Sequence, residues 1–404
     1  MSAAHTPQVW TFADNAKELA LLLQEKVRTP APRPALLCLS RSEAATLLDL
    51  PLLVSHQAVE QAARRLRDPV YDAVVIVGED TAYADTPQAS GWLGWPDSSR
   101  SPAAPEGTGT VFVAHAEQAL ARGFVTMEAT VLAYMARADA LSQHAAGGAL
   151  QARPDFAQHI ANLPSFSLPQ ATSVSGFAAL SDADLGLYAV VDSAAWVERV
   201  VAAGVRTVQL RIKDAEAPEH QDFVRQQVRQ SIAAATASGA QLFINDHWQL
   251  AIEEGAYGVH LGQEDLHIAD LAAIRQAGLR LGVSTHAYWE VCRAWALKPS
   301  YIACGPIHPT QAKAMPWVPQ GNDNLAYWCK LLPTPVVGIA GMDVARTEQA
   351  AACGAAGVAV ISAITAAASP EAAIAQLQQA VQRGKNQARV EAPMLPKPTL
   401  LPAV

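Results

Sequence analysis

Charge is scarce in this chain, and so is cysteine. Asp, Glu, Lys and Arg make up 16% of the 404 residues, and acids outnumber bases 37 to 29, a formal charge of −8. A chain without a basic excess is not built as a general nucleic-acid binder, although a local cationic site is compatible with it. The five cysteines, Cys38, Cys292, Cys304, Cys329 and Cys353, are dispersed, with no CxxC pair and no metal-ligand spacing. That pattern reads as reduced thiols of a cytosolic protein, not a disulfide framework or a zinc site. No apolar run reaches the roughly 18 residues of a membrane span. The opening residues, MSAAHTPQVW, lack the basic end and apolar stretch of a secretion signal. The expectation is a cytoplasmic protein with small-molecule partners, no nucleic acid and no membrane; a homo-oligomer is compatible with all of this.

What is abundant is apolar. Half of the residues are hydrophobic, and the length allows two or three domains. Residues 1–34 read as an N-terminal segment with a helix around Ala16 to Val27 and a Pro-rich connector. Residues 35–141 show α/β patterning: LLCLS and AVVIVGED as strands, His56 to Arg67 as the helix between them, and 86–106 as a Pro-, Ser- and Gly-rich loop. EGTGTVFVAHAEQALARG then reads as a glycine turn opening a helix. Such a turn points backbone N–H groups at an anion, but alone it is equally a plain helix start. The passage EGTGTVFVAHAEQALARGFVTMEATVLAYMARA, with AVEQAARRLRDPVYDAVVIVGED before it, resembles the second half of hydroxymethylpyrimidine-phosphate kinases, of the ribokinase fold. Thr110 stands where that family usually has Cys, and the family's front half is missing. The resemblance therefore implies a truncated, inactive ribokinase-like α/β domain. Residues 142–184 read as a linker, and 385–404, with several prolines, as an irregular tail.

From 185 to 384 the pattern is regular. Strand candidates are Leu187–Val191, Thr207–Arg211, Leu242–Asn245, Gly258–Leu261, Arg280–Ser284, Tyr301–Cys304, Val336–Ile339 and Gly357–Val360, each followed by a helical stretch. Eight strand–helix repeats in about 200 residues predict a (β/α)8 TIM barrel; a doubly wound open sheet is the alternative.

In such a barrel the working residues lie at the carboxyl ends of the strands. QLFINDHWQLAIEEGAYGVHLGQEDL (241–266) reads strand–helix–strand with an acid past each strand, which sets Asp246 and Asp265 on one rim. Two carboxylates there can share Mg2+ with a phosphate ligand; separately, each is an ordinary helix cap. QLRIKD places Gln209, Arg211 and Lys213 in alternation, hence on one face. GVSTH offers Ser284, Thr285 and His286, and the loop after strand six carries Thr310, Lys313, Gln320 and Gly321. Gly341 and Ile361-Ser362 follow strands seven and eight, the usual phosphate cradle of the fold. Two anion sites emerge. One is cationic and metal-assisted, from Arg211, Lys213, Lys313, Asp246 and Asp265, and suits a pyrophosphate. The other is neutral, from Gly341 and Ser362, and suits a phosphomonoester. No nucleophile–base pair is visible, and His260, inside a strand, reads as a satisfied core histidine.

QLRIKD, FINDHWQLA, GVHLGQEDL, GVSTH, GPIHPTQAK, PQG and VISAI, in this order, resemble the thiamine-phosphate synthase family over residues 186–366. The resemblance implies a transferase of thiamine biosynthesis. It would join hydroxymethylpyrimidine diphosphate to thiazole phosphate, with Mg2+ and release of pyrophosphate. It further implies that Gln209, Arg211, Lys213 and Asn245 contact the pyrimidine diphosphate, and that Asp246 and Asp265 hold the metal. Ser284 would sit beside the pyrimidine, Lys313 would grip the pyrophosphate, and Thr310, Gly341, Ile361 and Ser362 would receive the thiazole phosphate. Ala312 and Ala340 depart from the family pattern, and Ala340 bears on the thiazole-phosphate turn. A thiazole-tautomerase-like barrel and a non-catalytic precursor-binding protein are the alternatives.

Overall fold

The computed structural model describes residues 8–11, 19, 35–70, 72–95, 105, 107–166, 175–213, 221–310 and 316–401. The chain divides into two compact units. The first comprises Met1–Ala171, Ala287–Ala296 and Pro398–Val404; the second, Thr172–His286 and Leu297–Lys397.

The first unit is built on a six-stranded sheet in sequential order. β1 (Val9–Thr11), β2 (Leu36–Ser40) and β3 (Val74–Val77) run parallel. β4 (Ala82–Asp85), β5 (Ser90–Gly94) and β6 (Ser165–Phe166) follow antiparallel. Alternate residues Leu37, Leu39, Val74 and Ile76 pack on Val59, Ala62, Ala63 and Leu66 of the helix His56–Val70. Ser40 ends β2 and starts the helix Arg41–Leu47 with a capping box: its Oγ accepts from the Glu43 N–H at 3.2 Å, and its own N–H donates to Glu43 Oε2 at 2.6 Å. The helix Thr126–Ala145 is buried at every position from Met127 to Ala140. Of the charged groups this encloses, Asp139 is paired, accepting from Arg153 and Asn162, and Arg137 donates to the carbonyls of Gly78 and Glu79. The helix Tyr288–Ala296 belongs to this unit, where Tyr288 meets Phe124 edge-on and Arg293 lies over the Phe166 ring.

Several boundaries differ from those the sequence predicts. The segment 1–34 contributes β1 to the sheet, because VWT is apolar and pairs in register with LLC. Of the helix expected around Ala16 to Val27, all but the buried Leu19 lies outside the described residues. The expected loop 86–106 contains β5, whose Gly91 approaches the Phe166 ring closely enough that a Cβ would stand 2.7 Å from it. The expected linker 142–184 begins inside the helix Thr126–Ala145 and includes β6. The expected irregular tail begins inside the helix Pro370–Asn386, and its Thr399 is buried, its N–H donating to Glu128 Oε1 at 2.9 Å.

The second unit is a closed barrel of eight parallel strands. They are β7 (Gly186–Val191), β8 (Thr207–Leu210), β9 (Gln241–Asn245), β10 (Gly258–Leu261), β11 (Arg280–Thr285), β12 (Tyr301–Cys304), β13 (Val336–Ile339) and β14 (Gly357–Val360). β14 closes on β7 through the pairs Gly357–Gly186 to Val360–Ala189. Tyr188, Phe243 and Tyr301 pack at its centre, with ring centroids 5.0–6.1 Å apart, beside Val190, Val337 and Ala359. Glycines make room for these rings. A Cβ on Gly258 would stand 2.7 Å from Phe243, and one on Gly282 only 2.1 Å from Tyr301. In a close-packed interior neither ring can step aside. Gly282→Ala is therefore expected to cost at least about 1–3 kcal/mol through overpacking, read as a lower midpoint in thermal unfolding; an unchanged midpoint would contradict the packing.

Candidate functional site

All strands of a closed parallel barrel deliver their carboxyl ends to one rim. On β8, Gln209 is buried and its Nε2 donates to the Tyr188 hydroxyl at 3.2 Å. β8 ends at Leu210, but the Arg211 N–H still donates to Val191 O at 2.7 Å and extends the strand by one residue. Lys213 lies beyond it and is exposed, so the alternation inferred from QLRIKD reaches Gln209 and Arg211 and not Lys213.

Asn245 is the last residue of β9, and Asp246 takes a left-handed turn with φ 62°. Asp and Asn tolerate this region better than other side chains, and strain of this kind concentrates at working sites. The Asp246 N–H stays tied to His260 O at 3.0 Å. Asp265 opens the turn Asp265–His267 after β10, and its Oδ2 accepts from the Gly262 N–H at 3.1 Å. The backbone thus holds the two carboxyls together. Asp246 is raised to about 6, first by desolvation, then by the charge of Asp265 and a hydrogen bond with it; Asn245 and Arg211 pull the other way. Arg211, Asn245, Asp246 and Asp265 therefore form one cluster. Among the described residues no group of three or more His, Cys, Asp or Glu side chains could hold a metal by itself.

Sequence reasoning treats His260 as a core histidine, and it is buried and satisfied. Its partners make it part of the site: Nε2 lies 2.7 Å from Ser284 Oγ and Nδ1 2.7 Å from the Tyr301 hydroxyl. Burial, then the charges of Arg211 and His286, lower it to about 3, so it is neutral at physiological pH. Tyr301 in turn lies 2.7 Å from the Tyr188 hydroxyl. Tyr188, Tyr301 and His260 are the residues sequence reasoning missed here. The signal for His260 was the alternation in GVHLG, which turns it inward. The Ser284 carbonyl accepts from Gln263 Nε2 at 2.7 Å, fixing the end of β11.

Gly341 and Ile361-Ser362 stand at the exits of β13 and β14. At Gly341, φ is 67° and a Cβ would lie 2.6 Å from Pro309 O, so both conformation and space demand glycine. Ser362 opens the short helix Ser362–Thr365, with Ile361 at its N-cap. The preceding loop is anchored by Gln320, whose buried Nε2 donates to Gly305 O at 3.0 Å and to His286 O at 3.2 Å. Gln320 thus ties this loop to the backbone just beyond β11 and β12. Trp317 from the same loop stacks on His286, with centroids 5.5 Å apart. Thr310 is half-buried; Lys313 and Ala312 lie outside the described residues.

A closed barrel with paired carboxylates and an arginine at one strand exit, and a glycine turn with a short helix at another, defines a (β/α)8 protein that handles phosphorylated ligands. A family model described as thiamine monophosphate synthase matches residues 187–364. A thiamine-phosphate synthase of Yersinia pestis (strain Pestoides F) is 54% identical over 198 residues, 48% of this chain and 88% of that relative. Another, of Serratia proteamaculans (strain 568), is 55% identical over 203 residues, covering 49% and 92%. Among solved structures, a thiamine phosphate pyrophosphorylase from Pyrococcus furiosus aligns with 50% of this chain and 97% of its own, at 26% identity and a TM-score of 0.44. The chain belongs to the thiamine-phosphate synthase family.

Two outcomes follow from the site's backbone and charge. Ala340 has φ 82°, where a Cβ is strained. Ala340→Gly is expected to stabilise the barrel by about 0.5–1 kcal/mol, measured by denaturant unfolding; a destabilised variant would contradict the strain. The second concerns pH. Asp246 binds its proton up to about 6 when folded, against an ordinary aspartate value of 3.8. At low pH the carboxyl is protonated in both states and the pair carries no penalty. As pH rises through about 6, the folded protein must hold two adjacent charges, so the pair's contribution to stability falls. Without divalent cation, the melting temperature is expected to lose this contribution between about pH 4 and 6, and Asp265→Asn to reduce the loss to the part that burial alone causes.

Proposed function

We propose that the barrel is a thiamine-phosphate synthase. It joins hydroxymethylpyrimidine diphosphate to thiazole phosphate, giving thiamine phosphate and pyrophosphate. The observation that carries the reading is the Asp246–Asp265 pair, held close by backbone and bordered by Arg211. Such a pair repels itself unless a hard cation sits between its oxygens, and one or two carboxylates plus substrate phosphates are a usual magnesium donor set. The residues therefore fit Mg2+, with Asp246 and Asp265 as its holders. When bound, it would offset negative charge on the diphosphate.

The chain's own groups would do the rest. Arg211, Lys213 and Lys313 would receive the leaving diphosphate as charge develops on it. Gln209, Asn245 and Ser284 would hold the pyrimidine, and Thr310 with the turns at Gly341, Ile361 and Ser362 would hold the thiazole phosphate, so that the two rings face each other. The methylene C–O bond breaks with its electron pair leaving on the diphosphate, and the aminopyrimidine ring spreads the resulting positive charge. The thiazole nitrogen lone pair then forms the new C–N bond. No proton moves in either step, which agrees with a site whose histidine is locked neutral. Exclusion of water protects the cation.

No described helix is long and apolar enough to cross a membrane, and we place the enzyme in the cytoplasm. The first unit we read as a ribokinase-like remnant without kinase activity. Its glycine turn survives, with Gly107 at φ 94° opening the helix Thr108–Ala121.

The test is to mix both substrates, Mg2+ and the full chain, and assay for thiamine phosphate and pyrophosphate. Asp246→Ala is expected to lower turnover on the order of 10²–10³-fold with the fold retained by circular dichroism. Undiminished turnover in that variant would remove the metal assignment. Product release by wild type would exclude a tautomerase-like or purely binding barrel.

A further inference from the structure

The barrel floor carries a continuous chain of hydrogen bonds that the roles above do not use. Gln209 Nε2 donates to the Tyr188 hydroxyl at 3.2 Å, and Tyr188 lies 2.7 Å from the Tyr301 hydroxyl. Tyr301 lies 2.7 Å from His260 Nδ1, and His260 Nε2 lies 2.7 Å from Ser284 Oγ. Five side chains on β7, β8, β10, β11 and β12 thus link one substrate-facing group, Gln209, to another, Ser284. The three in between, Tyr188, Tyr301 and His260, are buried, so every hydrogen in the chain needs an acceptor.

That requirement gives the chain a direction. The Tyr188 oxygen already accepts from Gln209, so its own hydrogen goes to Tyr301. The Tyr301 hydrogen then goes to His260 Nδ1. A neutral imidazole accepting at Nδ1 carries its proton on Nε2, which donates to Ser284 Oγ. The hydrogen left over is that of the Ser284 hydroxyl. In the reverse direction Tyr188 would accept twice, and its own hydrogen would be buried without an acceptor among the described residues. With its nitrogen turned to the tyrosines, the Gln209 oxygen remains as acceptor.

We propose that Tyr188, Tyr301 and His260 are positioning residues forming one polarised relay that sets Gln209 as an acceptor and Ser284 as a donor toward the substrate. The relay would thereby select an aminopyrimidine over its oxo analogue. An aminopyrimidine offers an amino donor beside a ring-nitrogen acceptor, the complement of this pair. The oxo analogue offers a carbonyl acceptor beside a ring N–H, which meets acceptor with acceptor and donor with donor. Binding it requires all five groups to reverse together. This inference rests on the proposed reaction for its substrate, but the relay itself is testable without turnover.

The experiment has two arms on the full chain. In the first, 15N NMR of histidine-labelled protein reads the His260 tautomer. A protonated Nε2 and bare Nδ1 are expected in wild type, and a change in tautomer balance in Tyr301→Phe. A wild-type His260 protonated on Nδ1 would overturn the relay's direction. In the second, kcat/KM is compared for the 4-amino and 4-oxo pyrimidine diphosphates. Tyr301→Phe is expected to narrow the preference roughly tenfold, mainly through KM for the amino substrate. An unnarrowed preference in a folded variant would overturn the selectivity role. Tyr188→Phe, which cuts the chain one link earlier, is the parallel variant should Tyr301→Phe unfold. A wild-type protein that forms no thiamine phosphate, yet shows the expected tautomer, would count against the reaction and leave the relay standing.

Discussion

Two like charges are held where they would not choose to be. Asp246 takes a left-handed backbone turn, and Asp265 is fixed by the Gly262 N–H, so neither carboxyl can retreat without breaking local structure. The raised proton affinity of Asp246 records its burial first and this repulsion second. A folded protein tolerates such a pair only if the rest of the scaffold is rigid enough to oppose it. Here that rigidity comes from a closed barrel, in which every strand is paired on both sides and no edge can fray. On the proposed reading, the cluster is half of a binding site, which a divalent cation and the anion it accompanies would complete.

The same closure shapes the floor beneath the rim. Tyr188, Phe243 and Tyr301 fill the barrel because Gly258 and Gly282 leave the space their own side chains would take. Filling with tyrosine instead of leucine brings hydroxyls into a dry interior, where each must find a partner. The partners are one another, His260, and the two polar groups that look outward. Packing and recognition are therefore not separate layers of this molecule. The rings that exclude water also fix the orientation of the groups above them.

The barrel was legible because parallel strands buried on both faces read as apolar runs at even spacing, and each run was followed by a helical pattern. All eight predicted strands are present, with bounds differing by a residue or so. The first unit was harder. β4 and β5 form a short antiparallel pair rich in Ala, Gly and Ser, whose burial comes from the elements packed on them and leaves no periodicity. β6 is two residues long and joins the sheet from 71 positions away in the Ser165–Gly94 pairing, a distance no local pattern encodes. The candidate site divides the same way. Gln209, Arg211, Asn245, Asp246, Asp265 and Ser284 could be named from strand ends, whereas Lys213 lies past the end of β8, where strand alternation no longer sets the direction of a side chain.

By itself the sequence determined the eightfold repeat and the residues at the strand exits, because each of these follows from local periodicity and from where a strand stops. Only the tertiary structure decided that Asp246 and Asp265 would meet, and that His260 would join Ser284 to Tyr301. It alone placed the helix Tyr288–Ala296 in the first unit, though its sequence neighbours are barrel strands. Those facts depend on distances between residues far apart in the chain. A one-dimensional pattern carries side-chain type and order, but not the separation of two atoms in space.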